Sequence, residues 1–452
     1  MAKITIEHRD ALIYMLGEAA ELEHAIMAQY LFAAFSLKGG TDEDVDERQL
    51  RHIKEWRKAI MGVATEEMLH LGLANNLLAA IGAAPRVGRP NLPQAGRYYP
   101  PGMSFALVPF SERALRHFLY LERPENINRE DAEGFAALAE AEPMMTEREI
   151  VPRPQDFATV GELYHAIEDG FENLVEHHGE RWLFVGPPEA QATPDNFWWP
   201  DLIQVTDLES ARRAIATIVE QGEGTRGDWK EAHYGRFLEV LGEYLTLKRE
   251  DKDFEPARPV LAAVVRPPVD AEPGPLVRDP MTARVLDVFN VTYEVLLYTL
   301  GRFFGHGDED AEQLQTLATA SVLLMVDGLR PLGDLVTRMP VGDEHPGKTA
   351  GPSFEIFYRS GYVLPHAEAA WILLHERLLE LYGFLMATLS MGGPAELAPV
   401  GDSILEIANK LAARMPVLKE RRIRVPPAWG IGAVPADQPA AGSRAIEPPS
   451  SD

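Results

Sequence analysis

The chain has 452 residues, 46% of them hydrophobic, enough for two or three cores, and two domains are expected. With 43 basic and 69 acidic residues the formal net charge is −26, which argues against nucleic acid and anionic membrane surfaces as partners, because counterion release needs a basic patch that the sequence lacks. Cysteine is absent, so disulfides, thiolate zinc sites, iron–sulfur clusters and cysteine nucleophiles are excluded together, and any metal must be held by Asp, Glu or the 13 His. The first ten residues contain no apolar signal core, and no later apolar run approaches the ~18 residues of a membrane span, so a soluble cytoplasmic protein is expected.

Residues from about Ala11 to Leu37 read as one helix, with Leu12, Leu16, Ala19, Glu23, Ile26, Tyr30 and Ala33 at alternating spacings of four and three. Gly39-Gly40 ends it. A second helix repeats the pattern through Ile53, Trp56, Ile60, Val63, Glu67, His70, Ala74 and Leu77, with Glu67 and His70 as its only polar members. From Gly82 to about Pro154 the chain is irregular and rich in proline, apart from a short helical run through Phe110 to Leu121; such a connection suits the crossover between two halves of a helical bundle. Periodicity resumes near Thr159 with Tyr164, Glu168, Phe171, Val175 and His178. His177 and His178 complement that helix's C-terminus. Asp207-Leu208-Glu209-Ser210 opens a fourth helix that ends at Gln221-Gly222-Glu223-Gly224, and the run from Asp228 to Val240, with His233-Tyr234, is helical again.

Residues 251–281 carry a concentration of prolines and read as a linker or wrapping segment, separating a bundle over 1–250 from a C-terminal helical region over 282–424. The tail, 425–452, is rich in Pro, Ala, Gly and Ser and is expected to be disordered. The fold class expected is all-α.

Glu67-Met68-Leu69-His70 puts a carboxylate and an imidazole one turn apart on an apolar face, and Glu23 lies at similar depth on the preceding helix. An unpaired carboxylate there costs several kcal/mol, and no seam position of these two helices is Lys or Arg. A divalent metal offsets that cost, and oxygen ligands with imidazole favour iron or manganese. A carboxylate-bridged pair of metals needs a further Glu and a Glu/His pair. Matching depths along the third and fourth helices select Glu168 rather than Glu162, and Glu223. Position 226, where Glu-x-x-His spacing would put the imidazole, is Arg226, so the candidate is His233, delivered by a fold-back of Gly224-Thr225-Arg226-Gly227. Tyr30, seven residues after Glu23, lies close along the seam and is the candidate catalytic residue.

Assembled in this way, the chain resembles the ferritin-like domain of the iminophenyl-pyruvate dimer synthases of violacein- and rebeccamycin-type pathways. The matching stretches are Leu22-Glu23-His24 with Gln29-Tyr30-Leu31, then Glu66-Glu67-Met68-Leu69-His70, Thr159 to Tyr164, and Gln221-Gly222-Glu223-Gly224 with His233-Tyr234. The resemblance implies a ferritin-like four-helix bundle with a metal site at Glu23, Glu67, His70, Glu223 and His233. The pathway synthases are much longer, so a stand-alone relative is expected.

The function expected is that of a metal-dependent oxidoreductase: a non-haem centre, di-iron rather than mono-iron and with manganese as the other metal, that activates dioxygen or a peroxide to oxidise a small organic molecule in natural-product biosynthesis. Homo-oligomers are compatible with it. A helical structural or interaction protein without redox metal, and a haem-dependent oxidative coupling enzyme, remain open. Gly342-Asp343-Glu344-His345-Pro346-Gly347-Lys348-Thr349 fits the phosphate-loop pattern by letter, but a helical run precedes it and Ala350-Gly351-Pro352 interrupts any helix after it, so a loop packed near the bundle and shaping access to the site is expected.

Overall fold

A computed structural model describes residues 6–94, 105–124, 157, 159–224, 229–266, 274–305, 309–357 and 366–415. Two long helices form its centre, α1 (Arg9–Ser36) and α2 (Glu47–Ala80). They run antiparallel, since Arg9 at the start of α1 donates to the carbonyl of Ile81 just past the end of α2. The Asp46 carboxylate caps the N-terminus of α2 by accepting from the Gln49 N–H, while Gln49 reaches back to the Asp46 N–H. The all-α expectation holds: the only strands among the described residues are the two-residue β1 (Val260–Leu261) and β2 (Thr349–Ala350), paired in parallel.

The bundle is completed by α3 (Glu112–Leu121), α4 (Val160–His178), two single turns α5 (Glu180–Leu183) and α6 (Pro194–Phe197), then α7 (Leu208–Gly222) and α8 (His233–Glu250). Ser111, Thr159 and Asp207 cap α3, α4 and α7 with side-chain oxygens. Parts of the irregular crossover, 95–104 and 125–156, lie outside the described residues, as do 267–273 of the proline-rich segment and the whole tail from 416.

α1 is buried without interruption from Ala19 to Ser36. A helix buried on all sides needs two partner layers. α2, α4 and their neighbours provide one. The other comes from the C-terminal region: α9 (Pro280–Phe304), α10 (Ala311–Leu323), a π-helical stretch (Leu324–Leu329), α11 (Arg330–Val336), α12 (Ala367–Ser390) and α13 (Leu397–Arg414). The fit is close, because a Cβ placed on Gly333 of α11 would lie 2.8 Å from the Phe35 ring. One hydrophobic cluster therefore runs from Ile6 to Met415 through both regions.

The phosphate-loop look-alike follows α11 and leads into β2, and residues 351–357 beyond it form no regular secondary structure. Its backbone turns back on itself through Lys348 N–H to His345 and Val341 N–H to Lys348. The N-terminus of α9 lies beside it, but the Arg278 and Asp279 N–H groups bond the Val341 carbonyl, and β2 rather than a helix follows the loop, so it lacks the strand–loop–helix geometry that binds a nucleotide phosphate.

Candidate metal centre

Glu23 comes from the middle of α1, and Glu67 and His70 from the middle of α2; each is at most 2% exposed. His70 Nδ1 lies 3.1 Å from Glu67 Oε2 and 3.6 Å from Glu23 Oε2. On its far side, His70 Nε2 is 2.9 Å from the Gln221 side-chain oxygen. That contact holds the ring by its Nε2–H and turns Nδ1 to the two carboxylates, where it donates to Glu67 without a metal and would be free to ligate a cation that displaced its proton.

His233, the first residue of α8, is fully buried and repeats the arrangement. Its Nδ1 is 2.9 Å from Glu67 Oε1 and 3.5 Å from Glu122 Oε2. Its Nε2 is 2.8 Å from Glu66 Oε2, and Arg236 holds the same Glu66 carboxylate. Glu67 thus presents one oxygen to each imidazole. Two triads result, Glu23–Glu67–His70 and Glu67–Glu122–His233, each with one ligand atom per residue all within 4.8 Å of one another. A tyrosine orients each outer carboxylate: the Tyr164 hydroxyl donates to Glu23 Oε1 at 2.6 Å, and the Tyr30 hydroxyl donates to Glu122 Oε1.

Glu122 caps the C-terminus of α3 and Glu223 that of α7, so the Glu122 carboxylate lies at the negative end of a helix dipole, whereas that of Glu223 reaches the N-terminal first turn of α4. Glu223 Oε1 accepts from the Gly161 N–H at 2.8 Å. A Cβ on Gly161 would come within 2.3 Å of that oxygen, so only glycine lets the Glu223 carboxylate lie where it does. Together with Glu23, Glu67, His70, Glu122 and Tyr164, Glu223 lines an enclosed cavity of about 20 Å³. That is room for a water or a small diatomic molecule.

Electrostatics follow from this crowding. Burial, and then repulsion from Glu67, push the Glu23 carboxyl up to about 8. Burial opposes the charged form of Glu67 too, but His70 and His233 outweigh it and hold Glu67 below the usual carboxylate range. Burial would lower both histidines; instead Glu67 and Glu23 raise His70 to about 10, and Glu67 and Glu122 raise His233 well above its ordinary value. Protons on buried imidazoles are the only cations within the two triads. The residues fit a pair of metal ions on a further count: His233 Nδ1 is buried beside two carboxylates yet makes no hydrogen bond. Oxygen-rich sites with one imidazole per ion suit iron or manganese.

The residues expected from sequence are distributed unevenly. Glu23, Glu67, His70 and His233 come together and Glu223 borders the same cavity. Glu168 does not: it is half-buried on another face of α4, beside His165 and 3.8 Å from Arg212. Counting depth along the third helix chose the wrong face, and the position opposite His233 is taken by Glu122 from the crossover. Tyr30 reaches the cluster through Glu122 and does not line the cavity, whereas Tyr164 does. Glu66, Gln221 and Tyr164 stand inside the stretches that carried the resemblance, so their signal was present without an assigned part. Glu122 had none, lying at the end of a short run in an irregular segment.

Comparison with known proteins agrees with this geometry. A ferritin-like family model matches residues 16–242, half of the chain. The chain belongs to the ferritin-like family. Two relatives are each 28% identical: dichlorochromopyrrolate synthase of Lentzea aerocolonigenes, over 81% of this chain and 38% of its own, and 2-imino-3-(indol-3-yl)propanoate dimerase of Chromobacterium violaceum, over 77% and 34%. The chain therefore spans little more than a third of the length of these relatives. Both belong with the iminophenyl-pyruvate dimer synthases that the sequence motifs resemble. A crystal structure of a ferritin-like protein from Caulobacter vibrioides is 19% identical, covers 70% of this chain and 95% of its own, and superposes with a TM-score of 0.43. No helix of the described residues is long and apolar enough to cross a membrane.

Proposed function

We propose that the chain is an oxidoreductase that would hold a pair of iron or manganese ions at this cluster, with dioxygen or a peroxide as oxidant and a small organic molecule as substrate. The observation that carries this reading is the Glu67 carboxylate, whose two oxygens face two separate Glu–His sets. Bound there, a reduced metal pair would supply electrons to the oxidant. Glu23 and His70 would hold one ion and Glu122 and His233 the other, with Glu67 shared between them and Glu223 on the wall of the same cavity. The protein's part is to fix these donors and to keep bulk water out.

Glu66 and Gln221 hold the two imidazoles with Nδ1 toward the centre, and such outer partners set ligand basicity. Tyr164 and Tyr30 hold the outer carboxylates; burial first, and then the surrounding carboxylates, keep both phenols protonated well above their ordinary range. Tyr164, at the cavity wall, is a positioning residue acting through Glu23, and Tyr30 is one acting through Glu122. A synthase and a dimerase among the relatives support a biosynthetic reaction over iron storage. So does the C-terminal helical region, which a storage bundle does not need.

Metal content with an absorption spectrum before and after oxygen tests the reading. About two equivalents of ferrous iron should bind anaerobically, as a bridged pair requires, and oxygen should then change the spectrum without a Soret band. Binding of less than one equivalent, unchanged in Glu67→Ala, would refute it, and a strong Soret band would replace it with haem chemistry.

A further inference from the structure

The faces of α1 and α2 turned away from the carboxylates meet the C-terminal region around a second cavity, of about 310 Å³. This lies at the lower end of the range of small-molecule sites, roughly 300–1,000 Å³. On α1 its wall is a stripe offset by one residue from the Glu23 seam: His24, Met27, Leu31 and Phe35. Across from it stand Tyr293, Leu297 and Leu300 of α9. The π-helical stretch adds Met325, Val326 and Leu329, and π turns recur at ligand sites. Thr65, Val326 and Arg330 line it and are exposed, which marks its mouth.

Its electrical character is the reverse of the chain's. In a protein with a net charge of −26, no acidic side chain lines this cavity among the described residues. At its inner end His24 Nε2 and the Tyr293 hydroxyl share a hydrogen bond, both side chains fully buried. Directly behind them is Arg89, 7% exposed. Its guanidinium lies 5.8 Å from the centre of the Tyr293 ring and donates to the carbonyls of Pro90 and Phe354, each at 2.8 Å, while its Nε has no partner. It forms no ion pair among the described residues. A buried arginine without a carboxylate is a costly arrangement that an anionic ligand relieves. Burial, and then the charge of Arg89, hold His24 well below its usual range against the pull of the Val87 backbone, so its ring is neutral.

We propose that this cavity binds a hydrophobic monocarboxylic acid, its ring or chain among the aliphatic side chains and its carboxylate at the Arg89–Tyr293–His24 end. The site is separate from the carboxylate centre and does not depend on metal there. An aromatic acid and a fatty acid share this chemistry, so both are used as probes. Calorimetric titration of the full chain with 2-naphthoate and with octanoate should give saturable one-to-one binding by at least one of them, and the tighter identifies the class. Arg89 stands behind the lining and acts on the carboxylate through its charge rather than by contact, so Arg89→Gln should weaken that binding severalfold to about tenfold. Tyr293→Phe should weaken it less, and Val326→Trp, which plugs the exposed mouth without touching the core, should abolish it. Uncharged naphthalene should bind wild type no better than it binds Arg89→Gln. The proposal is overturned if neither acid binds below ~1 mM, if Val326→Trp leaves binding intact, or if naphthalene matches 2-naphthoate. Should Arg89→Gln fail to fold, Tyr293→Phe and Val326→Trp still decide.

Discussion

The two halves of the buried cluster are made by different parts of helices. Glu23, Glu67 and His70 project from the interiors of α1 and α2, where each backbone is fixed on both sides by its own hydrogen bonds. Glu122, Glu223 and His233 sit at the last or first positions of α3, α7 and α8, which depend on neighbours for their placement. Helix interiors place a ligand whether or not the ion is there. Helix ends open most easily, so this second half has the more to gain from a bound cation, and Glu122 at the end of α3 faces an unfavourable dipole until one arrives.

Breaking the element common to both halves has the largest expected effect. Glu67→Ala should lower bound iron from about two equivalents to less than one, measured by elemental analysis after desalting. Removing one imidazole at a time separates the halves: His233→Ala should lose about one equivalent, while His70→Ala should lose the ion on which the rest of the site is assembled. Loss of both ions in each variant would show that the halves are not independent. The outer partners come next. Glu66→Gln should weaken the second ion by roughly 10–100-fold, seen in competition with a chelator, and leave the first nearly unchanged, with Gln221→Leu giving the converse.

A pH series sharpens the same comparison in the metal-free protein. Glu23 and His70 bind protons more tightly folded than unfolded, so the stability they contribute is complete below their ordinary values of 4.5 and 6.5 and is lost as pH rises toward about 8 and 10. Chelator-treated protein should therefore melt at a lower temperature at pH 9 than at pH 7, and metal, by displacing those protons, should flatten the slope. The smallest effect belongs to Glu168→Ala, which should keep its full metal content and shift stability by no more than ~1 kcal/mol, because its ion pair with Arg212 is solvent-exposed.

The same contrast explains what the sequence made legible. Interior ligands interrupt an apolar period, so Glu23, Glu67 and His70 stand out from seams of Leu, Ile and Ala. Ligands at helix ends interrupt nothing. His233 was found only by searching past Arg226 for an imidazole, and Glu122 was hidden because its helix lies within a segment whose prolines read as connection. Glu168 was selected by an argument about depth that presumes four straight helices of equal standing, whereas α3 supplies a carboxylate from outside that set. The C-terminal region was visible as helices, but its purpose was not, since the stripe His24, Met27, Leu31 and Phe35 is overshadowed by the stronger seam on α1.

That second stripe carries a mechanical consequence. Glu23 and His24 are consecutive, as are Glu67 and Met68, so the partition between the metal cluster and the apolar cavity is one helix thick. A rotation of α1 or α2 that enlarged one chamber would carry the side chains of the other with it, because close-packed helices move as units.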